Sequence, residues 1–301
     1  MILLDTNQIM ISNLFAIKGK GFDSEELTVK DIRHSVLKGV LYYYNRFKGE
    51  YGEPMVLCYD SGNYWRTDQF PHYKASRKKK TKNDNINWNK IYQLFSVVRE
   101  EISENFPFLS LQVESTEADD IIAVIAQERH RESAVLSTGG GHNDDKILIV
   151  SSDKDFQQLQ SMKNVHQYSP SRKDLIKCED PIAFLIEHII RGDVSDGVPN
   201  ILSDDDSLVN EDKKQTIMSS KRYDSILEEI KSRRISKEDS EFRRNWFRNK
   251  NLIDLGCVPK DKVKMINDAY CKEVARHAMN KNNQMDYLIS NRLGDLTEFL
   301  V

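Results

Sequence analysis

Met1-Ile2-Leu3-Leu4-Asp5 opens the chain: four apolar residues closed by a carboxylate. A short apolar run of this kind reads as a buried strand, and a charge at its end belongs at the edge of the core. Pro54 to Tyr59 repeats the pattern and runs into Asp60. Ile147-Leu148-Ile149-Val150 repeats it again, ahead of Ser151-Ser152-Asp153-Lys154-Asp155-Phe156. Strand ends in an α/β sheet converge in space, so their carboxylates gather. Glu117 and Asp119 stand at the start of a helix-like stretch, and Asp196 lies in the turn-like Gly192-Asp193-Val194-Ser195-Asp196-Gly197. Together these make seven carboxylates in five short clusters. Gathered, they repel one another unless a cation neutralises them. Oxygen donors without nearby His or Cys point to Mg²⁺ or Mn²⁺, and so to metal-dependent phosphate chemistry.

The remaining pattern alternates. Residues 28–47 carry Val29, Ile32, Val36, Val40, Tyr43 and Phe47 at helical spacing. A helix is expected from near Trp88 to Glu104, closed by Pro107, and a strand at Leu109–Val113. Ser115 or Thr116 caps a helix over 117–132, and Gly139-Gly140-Gly141 makes a turn. Val165–Tyr168 is another strand, and 181–191 a helix ending at Gly192. Strands alternating with helices predict an α/β fold, a central mainly parallel sheet with helices on both faces. Beyond 200 the reading is helical throughout, over 211–219, 222–232, 238–250, 260–279 and 283–290. The expected division is a core over 1–200 and a helical region over 201–301, joined at Asp204-Asp205-Asp206. Residues 62–90 are aromatic and basic with few aliphatics. The part from Arg77 to Asn89 is expected to form no core and to be mobile without a ligand.

Charge is segregated. The chain has 301 residues and a net charge of −3. Residues 66–90 hold eight Lys/Arg against two Asp, and residues 213–250 twelve Lys/Arg against six Asp/Glu. Two basic segments beside an acidic remainder suit a protein that holds a polyanionic backbone on one surface and divalent metal on another. No run is long enough for a membrane span, and the start lacks a charged leader and a cleavage site. Four scattered cysteines suggest reduced structural thiols and a cytoplasmic setting. The triple glycine lacks the Gly-Lys-Ser/Thr ending of a phosphate loop. No Ser, His or Cys nucleophile stands at a recognisable spacing.

Single sites have bland readings too. Glu117, Asp119 and Asp120 would serve as ordinary acids at a helix N-terminus. Asp153 and Asp155 would serve as a cap, and Asp193 and Asp196 as turn formers. The collective pattern is stronger than any member. In order, Asp5, Asp60, Glu117-Ala118-Asp119-Asp120, Ser151 to Phe156 and Gly192 to Pro199 resemble the structure-specific 5′-nuclease family. That family comprises flap endonucleases and the 5′-nuclease domains of bacterial DNA polymerases. Tyr64-Trp65-Arg66, followed by Tyr73-Lys74-Ala75-Ser76-Arg77, resembles its basic arch, at about 62–90. With Asn249 to Pro259, these motifs are most similar to the phage ribonuclease H branch.

The resemblance implies roles. Asp5, Asp60, Glu117 and Asp119 would build a first Mg²⁺ site. Asp153, Asp155 and Asp196 would build or support a second, and Asp120 and Asp193 would stand behind the ligands. Arg66, Lys74 and Arg77, with Lys78 beside them, would grip the scissile phosphate region and the 5′ strand. Tyr64, Trp65 and Tyr73 would stack bases or pack the arch base. Two metal ions would activate water and steady the leaving 3′ oxygen, leaving a 5′-phosphate and a 3′-hydroxyl. The implied activity is 5′-to-3′ exonuclease and flap endonuclease action on RNA–DNA hybrid and on flap or nicked duplex DNA. That action would remove RNA primers in lagging-strand replication. Single-stranded DNA-binding protein and a sliding clamp are the implied partners, a monomer the implied state, and the host cytoplasm the setting if the chain is phage-encoded.

Two departures stand out. The family's Gly-rich hairpin, which holds duplex backbone and often K⁺, is replaced by Asn200 to Asp206. Three acids there would repel phosphate and argue against K⁺. The duplex grip would move to Lys213, Lys214, Lys221, Arg222 and the run 231–250, with Arg243 and Arg244. The phage branch also commonly has a short extension before the first strand, absent from this sequence. The rival readings are a PIN-type endoribonuclease, which lacks an arch and a basic helical region, and a non-catalytic DNA-structure-binding protein, which predicts lost carboxylates. The tail Leu296 to Leu300 would dock a partner or cap the last helix.

Overall fold

The structure is a computed structural model that describes residues 1–18, 23–77, 86–138, 146–232, 240–279 and 283–300. Lys78, the triple glycine at 139–141 and residues 233–239 of the second basic segment lie outside them. Among the described residues no helix is long and apolar enough to cross a membrane.

The chain divides into two compact units. The first holds residues 1–62, 85–177 and 260–301, and the second 63–84 and 178–259. This differs from the sequential split expected at 200. The reason is visible in the first unit's core, where Tyr287, Leu288, Leu293 and Leu296 pack in one cluster with Ile2, Leu4, Val36 and Met55. The tail accordingly covers the core: Leu296 is fully buried, with Phe299 and Leu300 packed against the same cluster.

The first unit is built on a six-stranded sheet of order β3-β2-β1-β4-β5-β6. The strands are β1 (Ile2–Asp5), β2 (Met55–Tyr59), β3 (Leu109–Gln112), β4 (Ile147–Val150), β5 (Val165–Ser169) and β6 (Asp174–Ile176). β1 is central: Ile2 is in register with Met55 on one side and Leu148 on the other. A strand covered on both faces and both edges has no place for a polar residue until it ends, which is why Asp5 comes last. All pairs are parallel except β5 with β6. β6 is a three-residue edge strand that the sequence reading missed.

The helices of this unit are α1 (Thr6–Lys18), α2 (Val29–Tyr51), α4 (Trp88–Asn105), α5 (Ala118–Thr138), α9 (Lys260–Met279) and α10 (Gln284–Ser290). α2 starts at a reciprocal cap, Asp31 Oδ2 accepting from Thr28 N at 3.0 Å and Thr28 Oγ1 at 2.7 Å. It runs four residues past the expected end and stops at Gly52, whose φ of 68° closes the last turn. α4 buries Ile91, Phe95, Val98 and Ile102, the stripe expected of an amphipathic helix. α1 follows directly from β1 and was not read from the sequence.

The second unit carries α3 (Trp65–Gln69), α6 (Pro181–Arg191), α7 (Ser220–Lys231) and α8 (Ser240–Ile253). The expected helix over 211–219 is absent. Residues 213–219 there have no regular structure, because Asn200 binds Thr216 and Gln215, and Thr216 N donates to Ser203 Oγ at 2.9 Å. The first part of the aromatic–basic segment has a core of its own. Phe70 and Tyr73 pack with Ile189, Val198, Leu252 and Ile253.

Candidate active site

The strand-end carboxylates of the first unit meet as expected. Asp5 is 8% exposed. Its Oδ1 accepts Gln8 N at 3.2 Å in the first turn of α1, and its Oδ2 accepts the Ser151 hydroxyl at 2.9 Å from the end of β4. Asp60, one residue past β2, caps α5: Oδ1 accepts Ala118 N at 2.8 Å, where the helix dipole favours an anion. Its Oδ2 accepts the Asn7 amide at 3.1 Å, and its carbonyl accepts Gln112 Nε2 at 2.6 Å. Glu117 is buried at the start of α5, and Asp120 Oδ2 accepts its N–H at 3.0 Å. One Asp120 oxygen is therefore committed to its own helix.

The β4 exit is held from several directions. Asp153 N donates to Ser151 Oγ at 3.1 Å, and Asp153 Oδ1 accepts Asp155 N at 3.0 Å. Gln167 Nε2 donates to the carbonyls of Ser151 and Asp153, and Gln8 Oε1 accepts Ser152 N at 2.7 Å. Asn7, Gln8 and Gln167 carried no sequence signal, and Ser151 was part of a motif without a role of its own. The first turn of α1 brings Asn7 and Gln8 to the site, and the sheet register brings Ser151 and Gln167.

The electrostatics show how close these acids are. Burial first, then the Asp60 carboxylate, push the Asp5 pKa up to about 7. Asp153 adds to the rise, against hydrogen bonds from Ser151 and Gln8. The buried Cys58 thiol is held well above its usual range by burial and then by the charges of Asp5 and Asp119. Four carboxylates thus share one low-dielectric edge. Every donor is an oxygen, and the field at Asp5 has the sign that a cation relieves. The residues fit a hard divalent ion such as Mg²⁺ or Mn²⁺.

The second unit holds the other expected residues. Asp193 is buried, accepts from Ser195 N at 2.8 Å and Asp196 N at 3.3 Å, and pairs with His188 Nε2 at 2.9 Å. Gly192 (φ 71°) and Gly197 (φ 76°) frame this turn, and a Cβ on Gly197 would meet the His72 carbonyl at 2.7 Å. The glycine lets the segment carrying His72 and Lys74 approach: Lys74 N donates to the Asp196 carbonyl at 2.7 Å. The Asp196 carboxylate accepts Tyr73 OH at 3.0 Å and an Arg77 N–H, with Lys74 Nζ at 3.6 Å. Tyr73 is thus packed inside the second unit, as is Trp65, at 4% exposure each.

Arg66, expected to grip phosphate, is enclosed in the second unit. It is 2% exposed, lies 4.4 Å from the Trp65 ring centroid, and donates Nε to the Leu252 carbonyl at 2.9 Å. So enclosed, it holds the segment in place. The acidic triple is also not bare. Asp205 takes a two-pronged bond from Arg244 at 3.0 and 2.9 Å and another from Arg248 at 2.5 Å. Lys213 Nζ sits 3.1 Å from Asp204 and 2.8 Å from Asp206. Two of the expected duplex contacts, Lys213 and Arg244, therefore offset the acids that were expected to repel phosphate. Lys214 is exposed, and Arg243 lies 5.8 Å from the Phe247 ring centroid.

Residues 1–183 match the family described as 5′-3′ exonuclease, N-terminal resolvase-like domain. The chain is 28% identical over 264 residues to the Ribonuclease H of Enterobacteria phage T4, covering 85% of this chain and 81% of that protein. Its fold is similar to that of the T5 D15 protein co-crystallized with metal ions. The TM-score is 0.62 at 15% identity, over 90% of this chain and 98% of that one. The family match takes in the strand-end acids from Asp5 to Asp155, and the chain belongs to the 5′-3′ exonuclease family with the N-terminal resolvase-like domain, with a likeness to phage ribonuclease H.

Proposed function

We propose that this nuclease depends on divalent metal, Mg²⁺ or Mn²⁺, and cuts phosphodiesters from 5′ ends in RNA–DNA hybrid and in flap or nicked duplex DNA. Its role is the removal of RNA primers during lagging-strand replication. One observation carries the reading: Asp5 is buried at the end of β1, fixed by Gln8 and Ser151, with the charges of Asp60 and Asp153 bearing on it, a gathering of acids that a cation would neutralise. In this reading Asp5, Asp60, Glu117 and Asp119 hold one ion, and Asp153 and Asp155 bear on a second. When bound, two such ions supply a water nucleophile at neutral pH and charge stabilisation for the leaving oxygen.

The chain's own groups do the rest. Ser151 and Gln8 aim Asp5, and the α5 N-terminus and Asn7 fix Asp60. On the second unit, Lys74 and Arg77 exchange the Asp196 carboxylate for phosphates of the 5′ strand, while Lys214 and Arg243 contact duplex backbone. Single-stranded DNA-binding protein and a sliding clamp are the partners that such a role calls for.

Asp119→Asn tests the assignment. It removes one metal-ligand charge and no phosphate contact. Cleavage of a 5′-flap duplex is expected to fall by about a hundredfold or more, with binding by fluorescence anisotropy unchanged. Wild-type turnover by this variant would sink the reading.

A further inference from the structure

α4 descends to β3 through residues 106–108, so its first turns stand at the carboxylate edge of the sheet. Arg99 marks the level of that edge. Its guanidinium lies 5.8 Å from the Tyr59 ring centroid and bonds to Gln112, which in turn donates to the Asp60 carbonyl at 2.6 Å. Tyr92 is two turns earlier on the same face, about 10 Å further along the helix. Tyr92 is 49% exposed, in contrast with Phe95 beneath it at 6%. Its phenol feels the site: burial first, then the Asp60 charge, raises its pKa.

The ring is also held in place. Trp88 lies 6.0 Å away at an interplanar angle of 33°, and Trp88 in turn meets Phe15 at 6.1 Å. The helix start is anchored by Asn87, which takes Lys90 N on its side chain at 3.0 Å. Asn87 also donates to Ser24 Oγ at 2.8 Å and to Glu25 at 2.7 Å. Sealing α4 onto the core accounts for Phe95. It does not account for a large, half-exposed ring on the helix face that leads to the carboxylate edge.

We propose that Tyr92, backed by Trp88, is a stacking platform for a nucleobase next to the phosphodiester that lies at the carboxylates. The proposal rests on the nuclease reading above and adds the nucleobase to it. Every base has a π-face, so the platform tolerates sequence and suits an enzyme that reads structure. It positions the strand by its base, leaving the metal-holding groups to the phosphate.

The test is single-turnover cleavage by wild type, Tyr92→Phe and Tyr92→Ala. The substrates are flap and hybrid, either intact or carrying one abasic residue on either side of the cut. Loss of one base stack corresponds to a slowing of about five- to a hundredfold. Tyr92→Ala is expected to show that loss on intact substrate, and Tyr92→Phe to retain the wild-type rate. An abasic residue at the stacked position should slow the wild type by the same factor and Tyr92→Ala no further. Equal rates for Tyr92→Ala and wild type would overturn the proposal. So would abasic and alanine losses that multiply, since the ring would then act on something other than that base. A wild type that cuts no substrate overturns the nuclease reading and the platform with it.

Discussion

Asp5 is the least comfortable residue in the first unit. It is buried, it faces the charges of Asp60 and Asp153, and its pKa is pushed up to about 7. Such strain is expected where function, not stability, fixes the residue. Asp5→Asn keeps the shape and an acceptor for the Ser151 hydroxyl while removing the repelled charge. The metal-free protein is expected to gain about 1 kcal/mol, a few degrees in Tm by calorimetry, while cleavage is lost. A lower Tm would show that the carboxylate stabilises the fold. The acids themselves were legible because a charge ending a four-residue apolar run has few places to go. Their supports were not. Ser151 reaches Asp5 across 146 residues of sequence, and nothing local in Ser-Ser-Asp announces which hydroxyl turns inward. The surroundings of Arg66 were hidden as well. Its basic neighbourhood suggested phosphate, and its burial against Trp65 and the Leu252 carbonyl depends on contacts that the sequence does not show.

At the scale of elements, Glu101 on α4 joins three helices. It takes a two-pronged bond from Arg33 of α2 at 2.7 and 2.6 Å and a hydrogen bond from Tyr287 of α10 at 2.6 Å. Burial works to raise its pKa, but the bonds from Arg33 and Tyr287 outweigh burial and hold the carboxyl below its ordinary value. The Tyr287 hydroxyl is correspondingly raised, by burial first and then by Glu101. A carboxylate whose folded pKa is lowered stabilises above its unfolded value and loses that contribution as pH falls through the folded one. The clamp should therefore be fully present above about pH 4.5 and fade below it. Glu101→Gln is expected to cost about 1 kcal/mol at neutral pH, discounted for solvent screening, and nothing once wild-type Glu101 is protonated. Urea melts at pH 7 and pH 3 measure the difference, and an equal gap at both would refute the clamp. Long periodic helices such as α2, α4 and α9 could be read directly. The absent helix at 211–219 could not, because hydrogen bonds to the 200–203 turn override local propensity.

At the scale of the molecule, the order of the chain and the order of the units differ. The sheet, its parallel direction and the C-terminal helices followed from alternating periodicity. The return of residues 260–301 to the first unit did not, since Leu288 and Leu296 become core only when the sheet is there to cover. Segregated charge was likewise visible in composition, yet Asp204, Asp205 and Asp206 are paired by Lys213, Arg244 and Arg248. Net charge along a segment is thus a poor guide to the charge it presents. The claim that unites the scales is that strand-end acids gather to hold metal for cutting 5′ ends. Incubation of the wild type with 5′-labelled RNA–DNA hybrid and 5′-flap duplex, in Mg²⁺ and in EDTA, tests it most directly. Short 5′ products are expected in Mg²⁺ alone. Tight binding without cleavage in Mg²⁺ or Mn²⁺, or equal cleavage in EDTA, would contradict it.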